Sequence, residues 1–374
     1  MTPKRATLVL SVLALGAAAV AFRLRSAGEE SPITLFGLPA FHASPSPDAS
    51  PDLPPSPGPQ DAPATANGPD PVGERRKFEI VDDHVQQLPR DYATPADIMW
   101  LYAHQNEDGS FGAESEEFEG AVYSRSATTG LAVLAILSHG YTHLSKEAFG
   151  DRTAGEGMKK ALKWMIVDTP QDELGRAIGT MAWTESFGMT GSVLLKGYAE
   201  TALKSLLESQ RADGSWGDSW TSAWAAQTLR SAEISGMEVP AEAKERAGGW
   251  LKTSLELKPE PAIATAYLWL THDAEHPALG GMRARLMNER PTWGQASFSY
   301  WYAGSQAMLA IDGQEGEGWQ AWTESLRATL WTFRGSDGEW AGGSPSVVRQ
   351  AYGALGIGTT YVSVPCCKGE KKKR

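Results

Sequence analysis

The apolar positions between about residues 91 and 364 follow a helical spacing. Ala127, Leu131, Leu134 and Ala135 recur three or four residues apart, which is the spacing of a buried helix face. Six segments are apolar almost all round, at residues 123–138, 174–187, 220–235, 262–270, 298–311 and 346–358. Segments that precede them, such as residues 198–209 and 241–255, carry charges on one face. Because a helix that is apolar all round must be buried and an amphipathic one can cover it, the pattern predicts two concentric rings of six helices, with no persistent strand alternation.

A short motif marks the turns between these helices. It occurs at residues 105–112 (QNEDGSFG), 210–217 (QRADGSWG) and 333–340 (FRGSDGEW). Asp-Gly favours a tight turn, and the aromatic residue after it can pack back on the helices that the turn joins. Degenerate corners without the motif are predicted at residues 168–172, 257–261 and 290–294, where prolines end helices. Six helix-to-helix corners result.

Composition separates this helical domain from the rest of the chain. All 14 tryptophans lie at or after Trp100, whereas ten prolines fall between Pro45 and Pro71 among small and polar residues. Such a stretch has too few apolar groups to offset the entropy lost on folding. We therefore predict a disordered proline-rich linker at residues 26–90, a helical domain at 91–364 and a basic tail at 365–374.

The first 25 residues have the composition of a membrane segment. Lys4 and Arg5 precede an apolar run of residues 7–22, and Arg23 and Arg25 follow it. The run is short for a membrane span and long for the apolar core of a cleaved secretory signal. Both alternatives stay open. The first predicts a membrane-anchored protein with an extracytoplasmic domain, periplasmic or in the cell envelope, and the second predicts a secreted one.

Charge and cysteine content limit the chemistry of the domain. The net charge of −11 argues against nucleic-acid binding. The two cysteines, Cys366 and Cys367, lie in the tail, so the helical domain has no thiol ligand or nucleophile. The histidine pair 139/143 is interrupted by Gly140, and the pair 272/276 is followed by Pro277. No metal or other cofactor is expected.

The repeated corners resemble the QW motifs of squalene and hopene cyclases and of the related protein prenyltransferase β-subunits. Residues 128–143, 176–190 and 300–308 are similar to stretches of bacterial prenyltransferase and squalene oxidase repeat proteins of unassigned activity. The resemblance covers the whole predicted domain and implies an (α/α)6 toroid. It implies little about chemistry, because one fold hosts many functions.

The activities known on this toroid each need residues that the domain lacks. The Asp-x-Asp-Asp acid of the cyclases is absent, and Asp82-Asp83 precedes the domain. Zinc-dependent prenyl transfer and lanthionine formation need cysteine ligands, and complement-type thioester formation needs Gly-Cys-Gly-Glu-Gln. The sequence therefore favours a protein that is not an enzyme.

Polar and aromatic residues near the openings of the apolar helices are the candidate ligand contacts. Each has a structural alternative: Asp218 as a helix N-cap, Arg176 in an ion pair with Glu173 or Glu185, and the aromatic residues as core. An acidic run, Glu114 to Glu119, suits a solvated loop, with a basic partner or cation as the alternative. The candidate ligand-binding residues are Arg176, Trp183, Asp218, Trp220, Trp224, Tyr300, Tyr302 and Gln306.

The function expected from these observations is binding without catalysis. We predict a membrane-tethered toroid that binds a protein, a peptide or a hydrophobic small molecule such as a lipid at the cell envelope. The alternative is an enzyme that acts on an isoprenoid or glycan-type substrate in the toroid, using carboxylates such as Asp218 and Glu185.

Overall fold

A computed structural model describes residues 96–335, 338–340 and 345–361. Twelve α-helices and two short hairpins make up this part of the chain. The helices are α1 (Ala96–Ala103), α2 (Arg125–Ser138), α3 (Ala154–Val167), α4 (Glu173–Thr190), α5 (Val193–Glu208), α6 (Ser219–Ile234), α7 (Ala241–Leu257), α8 (Pro261–Thr271), α9 (Pro277–Asn288), α10 (Phe298–Asp312), α11 (Glu317–Thr332) and α12 (Val347–Tyr361). The strands are β1 (Ser115–Phe118), β2 (Ala121–Ser124), β3 (Ala148–Phe149) and β4 (Arg152–Thr153).

The even-numbered helices form a closed inner ring. Each packs against two others in the order α2, α4, α6, α8, α10, α12 and back to α2. They are buried on nearly all sides; eleven of the fourteen residues of α2, Ala127 to Leu137, are buried. The odd-numbered helices cover this ring and bury one face only, as α9 does with Leu279, Met282 and Leu286. The predicted (α/α)6 toroid of two concentric rings is confirmed, with inner helix boundaries within a few residues of those expected.

The repeated motif clamps one outer helix to the next. In the second copy, the Asp213 carboxylate accepts hydrogen bonds from the backbone N–H of Ser215 at 3.0 Å and its hydroxyl at 2.7 Å. Gly214 has a φ of +94°, and a Cβ there would lie 2.2 Å from the Arg246 carbonyl oxygen in α7. Trp216 is buried, and its indole N–H donates to the Leu206 carbonyl at 2.8 Å. The turn therefore needs glycine both for its conformation and for this close approach.

The third copy of the motif closes the ring. A Cβ on Gly338 would lie 2.3 Å from the Ala96 carbonyl oxygen of α1. The Gln350 amide donates to the Gly338 carbonyl at 2.8 Å, as the Gln105 amide donates to the Gly109 carbonyl at 2.9 Å in the first copy. The last corner thus docks on the first outer helix, so that neighbouring helices cover both sides of α1.

Two hairpins depart from the prediction of helices alone. Strands β1 and β2 pair antiparallel, with Ser115 opposite Ser124 and Phe118 opposite Ala121, and β3 and β4 form a shorter pair. The turn of the first hairpin is Glu119-Gly120, both with positive φ, which is the geometry of a tight two-residue hairpin. Both hairpins are too short for an alternating pattern to be visible in the sequence.

The predicted N-terminal segment, the linker and the tail with Cys366 and Cys367 lie outside the described residues. Within the described part of the chain, no helix combines the length and apolar character that crossing a membrane requires. The same part contains no group of three or more side chains arranged to hold a metal ion.

Candidate functional site

The six inner helices begin at the same end of the ring, which we call the hairpin end because β1 and β2 lie there. The residue before the helix caps four of these helices with its side chain, including Ser346, which accepts from the N–H of Arg349 in α12 at 3.0 Å. Ser124 accepts from the N–H of Ala127 at 3.2 Å, Asp172 from Gly175 at 2.7 Å and Asp218 from Thr221 at 2.8 Å. Caps of this kind satisfy backbone N–H groups that have no partner within the helix. The N-cap role weighed for Asp218 is confirmed, and its side chain remains at the surface.

The β1–β2 hairpin reaches across this end to helix α10. The Glu119 carboxylate accepts from the N–H of Phe298 at 2.6 Å and of Ser299 at 3.1 Å, and from the hydroxyl of Ser297 at 2.9 Å. Glu116 accepts from the hydroxyl of Ser346, at the start of α12. The acidic run is therefore more than a solvated segment: the exposed Glu119 carboxylate caps the positive end of α10, and Glu116 binds the residue that precedes α12.

Below the hairpin, an aromatic layer fills the ring. Trp224 of α6 stacks on Tyr302 of α10, with ring centroids 5.7 Å apart, although α8 separates these helices. Trp220 of α6 lies 6.1 Å from Tyr352 of α12, and Tyr352 lies 5.7 Å from Tyr302. Tyr123 of β2 meets Tyr352 edge-on at 6.0 Å. The upper part of the ring is thus closed by its own side chains, of which Trp220 alone is half-buried rather than buried.

Two tyrosines of this layer are held in their neutral form. The hydroxyls of Tyr123 and Tyr352 are 3.1 Å apart. Burial raises the pKa of Tyr123 to about 12 and raises the pKa of Tyr352 well above its ordinary value. The Trp220 indole nitrogen faces both hydroxyls but meets neither in good hydrogen-bond geometry. The layer therefore offers hydroxyl and N–H groups without charge.

A polar layer lies one helical turn deeper. Gln227 follows Trp224 by three residues on α6, and Gln306 follows Tyr302 by four on α10, so each glutamine shares a helix face with an aromatic residue of the ring interior. Both are buried, with 4% and 1% of their surface exposed. The Gln227 carbonyl oxygen and the Gln306 amide nitrogen have no hydrogen-bond partner among the described residues.

Glu185 lies a further turn along the ring interior. Trp183 stacks on Tyr198 of outer helix α5 at 5.4 Å, and a residue two positions later points to the opposite side of a helix. Glu185 therefore faces inward, where its carboxylate accepts from the Ser231 hydroxyl at 2.5 Å. Ser231 lies on the same face of α6 as Gln227, four residues further on.

The structure brings together four of the eight predicted site residues in the ring interior: Trp220, Trp224, Tyr302 and Gln306. Asp218 lies at the rim of the hairpin end. Arg176 is paired with Glu173 at 2.8 Å, one of its two expected ion-pair partners. Trp183 faces α5, and Tyr300 donates to Glu289 at 2.6 Å beside Trp322 of α11, so both lie toward the outer helices.

Sequence reasoning missed four residues of the site: Glu119, Tyr123, Gln227 and Tyr352. Gln227 had a detectable signal, because a glutamine within the apolar run of α6 is unusual for a buried face. The two tyrosines looked like ordinary core residues. The role of Glu119 could not be predicted, because its partner Phe298 is 179 positions away.

Comparisons with known proteins support the fold. No family model matches the chain, and no match was found among curated proteins. Among solved structures, the chain is similar to the GH76A α-1,6-mannanase of Salegentibacter sp. HEL1_6. It is equally similar to an inactive variant of that enzyme, with two consecutive aspartates changed to asparagine, in complex with α-1,6-mannotriose. In both cases the TM-score is 0.52, the identity is 13% and the match covers 71% of this chain; it covers 96% of the enzyme and 97% of its inactive variant. The likeness shows the toroid, and it does not single out the cyclase and prenyltransferase proteins that the sequence motifs resemble.

Proposed function

We propose that this protein recognises a glycan at the hairpin end of the toroid, on the outer side of a membrane. The observation that carries the proposal is the half-buried Trp220 beside the exposed carboxylate of Asp218, with the buried, uncharged hydroxyls of Tyr123 and Tyr352 beneath them. Aromatic faces and a few well-placed polar groups are what a pocket needs to bind a ligand that is both apolar and polar, and a sugar ring has both surfaces.

The structural neighbours support the choice of ligand. A toroid of the same architecture is an α-1,6-mannanase, and one of its structures holds α-1,6-mannotriose. This favours the glycan alternative over an isoprenoid, and over the protein, peptide or hydrophobic molecule expected from the sequence. We infer the extracytoplasmic location from the predicted N-terminal segment. This location agrees with a glycan-binding role in the cell envelope.

A catalytic version of this role is the second candidate. Glycoside hydrolysis uses two carboxyl groups about 5–10 Å apart, on either side of the scissile bond. Carboxylates are available at the hairpin end: Asp168, which accepts from the Ser126 hydroxyl at 2.5 Å, and the caps Asp172 and Asp218. The neighbour's inactive variant lacks two consecutive aspartates, whereas consecutive aspartates occur in this chain only at residues 82–83. A catalytic pair in this chain would therefore have to come from separate corners of the ring, and recognition of the glycan is the part of the role that both candidates share.

The test is a calorimetric binding titration of the full-length protein in detergent. The ligands are α-1,6-mannotriose and other neutral oligosaccharides. We expect saturable binding that Trp220→Ala weakens by about tenfold or more, since this removes a stacking surface worth about 1.4 kcal/mol or more. Trp331→Ala is the matched control, because Trp331 is 47% exposed on outer helix α11.

Release of new reducing ends from the same oligosaccharides separates the two candidates. Hydrolysis that Asp218→Asn or Asp172→Asn abolishes would establish the catalytic version. If no oligosaccharide binds, or if Trp220→Ala and Trp331→Ala bind alike, glycan recognition at the hairpin end is wrong, and co-purification of a protein or lipid becomes the next experiment.

A further inference from the structure

The ring interior below the aromatic layer contains polar groups without partners. Leaving a buried polar atom unsatisfied destabilises the folded state, and such atoms in folded proteins generally meet a partner, water or a ligand. Gln227 contributes an unpaired acceptor and Gln306 an unpaired donor, on two inner helices whose aromatic residues already meet across the ring. The two side chains are at the same depth, each nine residues after the N-cap of its helix, Asp218 or Ser297.

The surroundings of the two glutamines favour a particular ligand chemistry. The Trp224 and Tyr302 rings lie one turn above, toward the hairpin end, and the Ser231 hydroxyl and Glu185 carboxylate lie one turn below. A guest at this level meets aromatic surface on one side, and an unpaired acceptor and an unpaired donor on the others. The Ser231 hydroxyl is already engaged by Glu185 at 2.5 Å and by Thr184 at 2.8 Å. A sugar unit has hydroxyl groups that both donate and accept, and C–H faces that pack on aromatic rings.

We propose that Gln227 and Gln306 form an interior binding site for a single neutral sugar unit. This inference rests on the proposed function and places one unit of the glycan inside the ring rather than at its rim. Gln227 accepts a hydrogen bond from one sugar hydroxyl, and Gln306 donates to another. An anionic sugar is disfavoured, because it would have to lie close to the buried carboxylate of Glu185.

The hairpin controls access to this site from its end of the ring. The ring centroids of Phe118 and Tyr352 are 6.4 Å apart. Glu119, at the tip of the hairpin, binds α10 and has a φ of +49°. This is the backbone geometry of a two-residue hairpin turn, and the hydrogen bonds from the start of α10 to the Glu119 carboxylate hold the hairpin closed. Entry of the sugar unit requires these bonds to open and the Trp224–Tyr302 stack to separate.

The test uses mannose and α-1,6-mannotriose as probes on the full-length protein in detergent. Gln227→Met and Gln306→Met each remove the polar amide and keep the length of the side chain, so they are expected to fold. Each is expected to weaken the binding of both probes by about tenfold, the equivalent of one lost hydrogen bond of about 1.4 kcal/mol. Gln320→Met on outer helix α11 is the matched control and is expected to bind like the wild type. Melting temperatures establish that the variants are folded.

The outcomes distinguish this inference from the proposed function. If Trp220→Ala weakens binding but both methionine variants bind like the wild type, the glycan rests at the rim and the interior site is wrong. If both methionine variants melt at a higher temperature than the wild type and bind equally well, the glutamines hold an internal water only, which also overturns the interior site. If the wild type binds neither probe, the proposed function and the interior site fail together. A crystal structure with a sugar ring between Gln227 and Gln306 would establish the site.

Discussion

One cluster of buried charges lies where the ring closes. Asp97 of α1 contacts the imidazole of His139 at 3.1 Å and the guanidinium of Arg334 at 3.2 Å. The second ring nitrogen of His139 is 3.0 Å from the Ala135 carbonyl oxygen. Because a carboxylate and a carbonyl can only accept, both ring nitrogens must carry a proton, and His139 is the imidazolium form in this arrangement.

The pKa values of the pair follow from these contacts. Burial opposes the charge on Asp97, but His139 and then Arg334 outweigh it and lower the pKa of Asp97. Burial likewise opposes the charge on His139, but Asp97 outweighs it and raises the pKa of His139. The charged histidine therefore stabilises the folded state in full at pH values below its unfolded pKa of about 6.5. This stabilisation is lost as the pH rises through the pKa of the folded state. The contribution of Asp97 is present above about pH 4 and is lost as the pH falls through its lowered pKa.

A prediction at the residue scale concerns this pH dependence. The free energy of unfolding should fall between pH 6 and pH 9, and it should fall less in His139→Gln, because the variant has no imidazolium to lose. Urea unfolding of both proteins at the two pH values measures the difference. His104→Gln is the control, since His104 also contacts a backbone carbonyl, at 2.8 Å from Trp100, but has no carboxylate partner among the described residues. Equal pH dependence in wild type and His139→Gln would contradict the ion pair.

At the scale of elements, the corners hold the outer ring together. In each copy of the motif the turn glycine touches a backbone carbonyl of the next outer helix, Lys160 in α3, Arg246 in α7 or Ala96 in α1. The amide of Gln105 or Gln210 donates both to the turn and to the first turns of that same helix. The sequence motif therefore specifies a contact between helices, in addition to the shape of a turn.

Substitution of a turn glycine should measure that contact. Gly214→Ala places a methyl group against the Arg246 carbonyl at a position with a φ of +94°. Gly140→Ala is the matched control, because Gly140 has a φ of +83° and open space around its Cβ position. In both variants a left-handed alanine lowers the free energy of unfolding by about 1 kcal/mol. Gly214→Ala should lower it by about 2 kcal/mol more, because the backbone of α7 must move away from the new methyl group. Equal unfolding free energies for the two variants would show that the corner does not dock on α7.

At the scale of the whole molecule, the fold depends on a closed ring that begins at α1. Trp100 and Leu101 of α1 are 4% and 0% exposed, so the first outer helix contributes to the core. The composition of the chain places no core residue before residue 77. The ring is therefore expected to fold without the N-terminal segment and the linker.

Two fragments test this expectation. The fragment of residues 77–374 should be soluble, helical and monomeric, with a melting temperature close to that of the full-length protein. The fragment of residues 104–374 lacks α1 and should lose the cooperative transition, because the third corner and Arg334 then have no partner. Circular dichroism and analytical ultracentrifugation measure both. Aggregation of the longer fragment would mean that the linker or the N-terminal segment belongs to the fold.

The sequence alone determined the helices, their order and the corners between them, because these depend on local spacing and turn chemistry. The all-apolar pattern of α6 and α10 also determined that these helices are buried. That pattern could not distinguish the face toward the ring interior from the faces toward neighbouring helices, because all of them are apolar. For this reason the sequence predicts one group of Trp183, Trp224, Tyr300 and Tyr302, although Trp183 and Tyr300 face the outer helices.

Only the tertiary structure decided which side chains meet inside the ring. The hydroxyls of Tyr123 and Tyr352 are 229 positions apart in sequence and 3.1 Å apart in space. Contacts of such separation arise from closure of the ring, which no local pattern encodes. The same closure places Gln227 and Gln306 at one level and leaves their polar atoms unpaired, and so the candidate site is a property of the closed toroid and of none of its helices alone.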